Sequence, residues 1–215
     1  MRALVAAIVL LAATAARADA ACAEQAEELR GFLDQELARA DKWDLAWGVA
    51  FGTVSTLQTA AAVTRFKPGG AEMTDDEEAT LYVGAAKSFT GFAAHTVTNI
   101  RGPLPARHPD PCVDLAQLRK ALAKLGKAER QTFWMTHLGG WAVNLAGGAI
   151  LWRERSFKVG LVSILVSLPI GPLSAYTMPR RAWKRWRNER ASWTVNVGRA
   201  AHSDDGFVLS IGGEL

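Results

Sequence analysis

The side chains best suited to chemistry lie in otherwise apolar stretches. Lys87, Gly91 and His95 recur at four-residue spacing, which sets an amine and an imidazole on one face of a helix. His137 and Asn144, seven apart, share a face of another helix. If those faces meet, two imidazoles, an amide and an amine converge in a low-dielectric interior. Such groups can shuttle protons, hold a polar ligand or bind a metal weakly. The commoner outcome is structural: neutral histidines bonded to a helix neighbour, and a lysine that snorkels toward water. The chain holds no HExxH, CxxC, GxSxG or Gly-rich Lys loop. No Asp or Glu lies inside an expected span to complete a carboxylate–histidine pair. The pattern therefore assigns no catalytic residue, metal or cofactor, and an enzyme is the less favoured class. His202, Asp204 and Asp205 read as a solvated turn.

A second group occupies residues 178–190, "MPRRAWKRWRNER", with six basic residues and two tryptophans. It follows at once on a twenty-residue stretch that holds no Asp, Glu, Lys, Arg or His. Trp183, Trp186, Arg190 and Trp193 fall on one helical face, while Arg180, Arg181, Lys184, Arg185 and Arg187 fall mainly elsewhere. Aromatic and basic faces on one helix suit the plane of a membrane interface. Anionic headgroups add about 1 kcal/mol per basic residue near the surface. Nucleic acid is not an expected partner, because an exported chain rarely meets it and no reading module is present.

Export is expected from residues 1–20. Arg2 leads an apolar run to Ala16, and Ala18, Asp19 and Ala20 make an A-x-A cleavage site. The alternative is an uncleaved anchor, and either way the chain then starts outside the cytoplasm. Removing residues 1–20 lowers the formal charge from +4 to +3. Cys22 and Cys112 are the only cysteines, and an even pair in an oxidising compartment reads as a disulfide. Asp19, three positions before Cys22, argues against lipid attachment there.

The elements that position these groups follow from periodicity and breakers. Residues 21–44 form an external amphipathic helix with Leu29, Phe32, Leu33 and Leu37 on one stripe. Four candidate spans follow: residues 45–63, 79–100, 133–152 and 159–178. Trp43 and Trp47 mark the first interface, and the second span is the weakest because it carries Lys87 and His95. Thr74 and Glu77 have capping-box spacing before it. A proline-rich loop leads to Cys112, and Leu115, Leu118, Leu122 and Leu125 then form a narrow seam within the external segment 101–132. Pro169 and Pro172 are expected to kink the last span.

Small residues recur every four positions in each span: Gly48, Gly52, Thr56 and Ala60; Gly84 and Ser88; Gly140, Asn144 and Gly148; Ser163, Ser167, Gly171 and Ala175. Such small-xxx-small rows predict close helix packing. A basic interfacial helix spans residues 179–192, and alternating residues over 193–215 predict a β-hairpin.

The expected fold is an all-α integral membrane protein. It comprises a four-helix transmembrane bundle over residues 45–178, an extramembrane helical cap tied by the disulfide, and a C-terminal β-hairpin. The side of the tail is in conflict. Four spans from an external N-terminus leave 17 Lys or Arg outside against 5 inside, opposing the positive-inside rule. A non-spanning second segment or an inverted molecule would relieve this; the four-span arrangement keeps signal, cysteine pair and span count in agreement. The expected location is a bacterial-type cell envelope, with the inner membrane favoured and the cysteine-bearing segments on the periplasmic side. The expected function is a non-enzymatic scaffold or partner-binding protein, contacting membrane lipids and a protein partner through the hairpin. One alternative is an intramembrane transporter subunit or enzyme using Lys87, His95, His137 and Asn144. Another is an anionic-lipid binder through residues 180–193.

Overall fold

A computed structural model describes the backbone of residues 2–97, 102–191, 194–199 and 207–212, with side chains chiefly within 19–96 and 102–190. Among the described residues six helices follow in order: α1 (Arg2–Thr64), α2 (Asp75–Val97), α3 (Pro111–Glu154), α4 (Phe157–Ser167), α5 (Ile170–Thr177) and α6 (Arg181–Ala191). Strands β1 (Thr194–Arg199) and β2 (Phe207–Gly212) pair antiparallel, with Val197 opposite Leu209.

Helices α1 and α3 are longer than periodicity suggests. No proline interrupts either, and their internal glycines are tolerated within a helix at a modest local penalty. Helix α1 therefore runs unbroken through the expected cleavage site and through the expected boundary at residue 45. Helix α3 likewise joins the leucine seam to the stretch read as the third span. Residues 65–74 stop α1 sharply, with Gly69 at φ 93° and Gly70 at φ 74°. At the start of α2, Thr74 Oγ1 accepts from Glu77 N–H (3.3 Å), and Glu77 Oε2 accepts from Thr74 N–H (2.9 Å). Between α4 and α5, Pro169 and Pro172 supply no N–H, and the apolar stretch splits at residues 168–169.

The expected four-helix transmembrane bundle closed by a β-hairpin is not supported. Among the described residues one helical stretch, Phe157–Thr177, is long and apolar enough to cross a membrane. The reason lies in composition. Residues 45–63 are diluted by Gly48, Gly52, Thr53, Ser55, Thr56, Gln58 and Thr59. Residues 79–100 carry Lys87, Ser88, Thr90 and His95, and residues 133–152 carry four glycines with Thr136, His137 and Asn144. Absence of charge is a weaker criterion than apolar content, because hydroxyls, amides and exposed peptide backbone each lose hydration in hydrocarbon.

The chain forms two compact units. Unit 1 comprises Met1–Leu33, Leu104–Lys127 and Arg180–Leu215; unit 2 comprises Asp34–Pro103 and Ala128–Pro179. In unit 1, Leu29, Leu33, Leu115, Leu118, Leu122 and Leu125 are buried, so both leucine stripes supply its core. Unit 2 is built on close helix contacts at small residues. A Cβ on Gly140 would stand 2.8 Å from the Gly171 backbone, and one on Gly160 2.5 Å from the Gly148 carbonyl oxygen. These contacts bring the second half of α3 against α4 and α5 at the separation that only glycine permits.

Candidate functional site

Unit 1 carries the cysteines and the basic helix. The Cys22–Cys112 disulfide joins α1 to the start of α3, closing a separation of 90 residues. Asp110 caps α3, its Oδ1 accepting from Cys112 N–H at 2.8 Å and Val113 N–H at 3.1 Å. Beside it lies an ion pair that the sequence did not announce. Arg30 Nη2 donates to both Asp114 oxygens at 2.9 and 3.1 Å, and its Nη1 donates to the Pro105 carbonyl at 2.9 Å. The His108 N–H also donates to Asp114 Oδ1 at 3.0 Å. That backbone donation, followed by the Arg30 interaction, holds the Asp114 carboxyl below its usual pKa. The node fixes the proline-rich loop onto two helices.

Helix α6 packs on this unit through its aromatic side. A Cβ on Gly126 would stand 3.0 Å from Trp186 Cβ and 3.1 Å from the Ala182 carbonyl oxygen. Arg190 lies 5.2 Å over the Trp186 ring, with Lys127 at 6.0 Å. Arg185 sits 4.8 Å over Phe32 and pairs with Glu28 at 3.1 Å and Glu189 at 3.2 Å. Trp183 and Trp186 are accordingly half-buried, whereas Arg181, Lys184 and Arg187 are exposed. A groove of about 590 Å³ runs along α6, lined by Phe32, Arg181, Lys184, Arg185, Asn188 and Glu189. Trp193 lies outside the described residues, and so do the hairpin side chains expected to meet a partner.

Unit 2 holds the four polar residues singled out from the sequence, in three environments. Lys87 Nζ donates to Ser163 Oγ (2.9 Å) and Ser167 Oγ (3.2 Å). Asn144 Nδ2 donates to the Ser167 carbonyl at 2.9 Å, so Lys87 and Asn144 meet at α4. His95 instead joins α1, its Nδ1 lying 3.1 Å from Asp44 Oδ1, with Trp43 edge-on at 4.7 Å and Phe51 stacked at 5.7 Å. His137 sits among Phe133, Trp134, Trp141 and Tyr176, with its Nδ1 buried and without a hydrogen-bond partner. The Asp44–His95 pair is the carboxylate–histidine couple absent from the apolar stretches. Asp44 lies one residue before the first of them, 51 positions from its partner. The indole N–H groups of Trp43 and Trp47 donate to Thr177 Oγ1 at 3.3 and 3.1 Å, anchoring α1 on the end of α5.

At the entrance to α2, Lys67 Nζ lies 2.7 Å from Glu77 Oε1. That bond, then the Thr74 N–H donation, lowers the Glu77 carboxyl to about 2. This cluster extends the capping box by one ion pair. Among the described residues no group of three or more His, Cys, Asp or Glu is arranged to hold a metal ion.

Comparison with known proteins finds no family model, no curated protein and no solved structure that matches the chain.

Proposed function

We propose that the protein is a non-enzymatic, membrane-attached scaffold of the cell envelope that holds an anionic lipid surface with α6. One observation carries the reading: the two units differ in what they expose. Among the described residues, every exposed large apolar side chain except Val113 belongs to unit 2. Leu138 is 57% exposed, Leu165 59% and Val166 72%. An apolar exterior of that extent suits acyl chains, whereas the described leucines of unit 1 are buried or half-buried. Phe157–Thr177 is the apolar anchor, about 32 Å long at the helical rise.

The side follows from connectivity. Helix α6 packs in the same unit as the disulfide, yet Phe157–Thr177 lies between α3 and α6 in the chain. A single crossing there would divide unit 1 between two compartments. The stretch therefore returns to the side of unit 1 as the inserting element, and its close glycine contacts with the second half of α3 hold it there without making α3 a span. The disulfide belongs to an oxidising compartment, so α6 shares that side. Its basic residues begin three positions after Thr177, where Lys and Arg meet headgroups. With Trp183 and Trp186 turned to α3, contact is electrostatic, made by Arg181, Lys184 and Arg187.

The test uses full-length protein in neutral detergent, titrated with short-chain phosphatidylglycerol and phosphatidylcholine. The reading predicts preference for phosphatidylglycerol that falls with salt, and roughly fivefold weaker binding for each of Lys184→Gln and Arg187→Gln. Equal binding of both lipids, or binding indifferent to salt, rejects it.

A further inference from the structure

The shallow groove of about 590 Å³ on unit 1 lies between Phe32 of α1 and one face of α6, where Arg181, Lys184, Arg185 and Asn188 recur at three- and four-residue spacing. Arg187 falls outside it. Arg185 forms a fixed wall. Its guanidinium lies 4.8 Å over the Phe32 ring and is balanced by Glu28 and Glu189 at 3.1 and 3.2 Å. Lys184 and Asn188 stand differently. Both are exposed, and the side chain of neither holds an ion pair or hydrogen bond with another described residue. A ligand can therefore engage these two groups without breaking a contact within the protein.

The chemistry of the two groups sets the class of ligand. The Lys184 ammonium only donates, and with Arg181 it makes that end of the groove positive. The Asn188 amide both donates and accepts, so it pairs with a hydroxyl. Lys184 and Asn188 share one face of α6, separated by about 6 Å of helical rise. That separation matches the reach from a phosphodiester to the hydroxyls of its own alcohol. Arg181 comes four positions after Thr177, the end of the proposed anchor, so the groove begins close in the chain to lipid headgroups. We infer that this groove binds the head of a singly charged phosphodiester lipid, its phosphate on Lys184 and a head hydroxyl on Asn188. The inference rests on the anionic-surface reading and adds selectivity among anionic lipids, which charge alone does not supply.

The experiment is titration calorimetry of full-length protein in neutral detergent with short-chain phosphatidylglycerol. Phosphatidylmethanol of the same chains carries the same charge without a hydroxyl, and phosphatidylcholine is the neutral comparison. Expected is one site per chain that takes phosphatidylglycerol about threefold to tenfold more tightly than phosphatidylmethanol. Asn188→Leu removes that preference and leaves phosphatidylmethanol binding as it was; the position is exposed, so the core of unit 1 is untouched. Lys184→Gln weakens both anionic lipids about fivefold, and Arg187→Gln leaves the preference intact. Glycerophosphoglycerol, the same head without acyl chains, competes only at higher concentration. Equal binding of the two anionic lipids, both above phosphatidylcholine, overturns the groove and leaves the surface reading standing. Equal binding of all three overturns both. A preference that survives Asn188→Leu also overturns the inference. So does glycerophosphoglycerol or a hexaglutamate peptide that binds as tightly as the lipid, which would assign the groove to a soluble diester or to an acidic protein segment.

Discussion

Removing the Asp114 carboxylate should destabilise the molecule more than any exposed charge substitution. Its side chain is 10% exposed and that of Arg30 12%, so water reaches each charge only in part. Asp114→Ala deletes both Arg30 contacts and strands the His108 N–H, leaving the guanidinium with the Pro105 carbonyl. Breaking a buried pair by removing one partner costs about 3–5 kcal/mol, and residual exposure places this case near 3. For a chain of this size that lowers Tm by about 6–12 °C. The Arg107–Glu27 pair is the contrast, with side chains 65% and 60% exposed, and Glu27→Ala should cost under about 1 kcal/mol. Urea unfolding followed by circular dichroism measures both. The wild-type advantage over Asp114→Ala should also depend on pH. The folded carboxyl is depressed, so its contribution is complete above the unfolded Asp pKa of about 4. It is lost as pH falls through the folded value. Equal losses from Asp114→Ala and Glu27→Ala, or an advantage that grows in acid, would refute the reasoning.

Replacing Cys22 and Cys112 together by Ser removes a cross-link over 90 residues, and thermal melting should show a loss of up to about 4–5 kcal/mol on the loop-closure scale. Gly140→Ala places a methyl 2.8 Å from the Gly171 backbone and should cost about 1–3 kcal/mol in a detergent melt; Gly139→Ala, with open space around it, should be neutral or slightly stabilising. Thr74→Val removes the hydroxyl that caps α2, an expected loss of about 1 kcal/mol by chemical denaturation.

Local chemistry was legible in the sequence wherever both partners lay within a turn or shared one helical face. The Thr74–Glu77 box, the two leucine stripes and the glycine rows at Gly140, Gly148 and Gly171 are of this kind. The Cys22–Cys112 bridge was legible because no third cysteine competes. Element boundaries were not. Periodicity continues through residue 45 of α1 and through Gly126 of α3 without a proline, and a change of surroundings leaves no local mark on a helix. The span count failed because a run without charge is not thereby strongly apolar, as Thr53, Ser55, Thr56 and Gln58 show. The polar residues stand out in the sequence, but their partners do not. Asp44 stands just outside the apolar stretch, and Ser163 and Ser167 read as packing residues until Lys87 reaches them. Arg30 and Asp114, 84 positions apart, carry no pattern that pairs them.

If α6 and the disulfide share the outer side of the membrane, a thiol placed on α6 is reachable from outside. Asn188→Cys places a thiol on the exposed side of α6, in a chain whose own cysteines are joined. Spheroplasts carrying this variant would be treated with a membrane-impermeant maleimide before and after permeabilisation. The account predicts full labelling of intact spheroplasts, with the wild type unlabelled unless reduced. Labelling of Asn188→Cys only after permeabilisation would place α6 in the cytoplasm and contradict it.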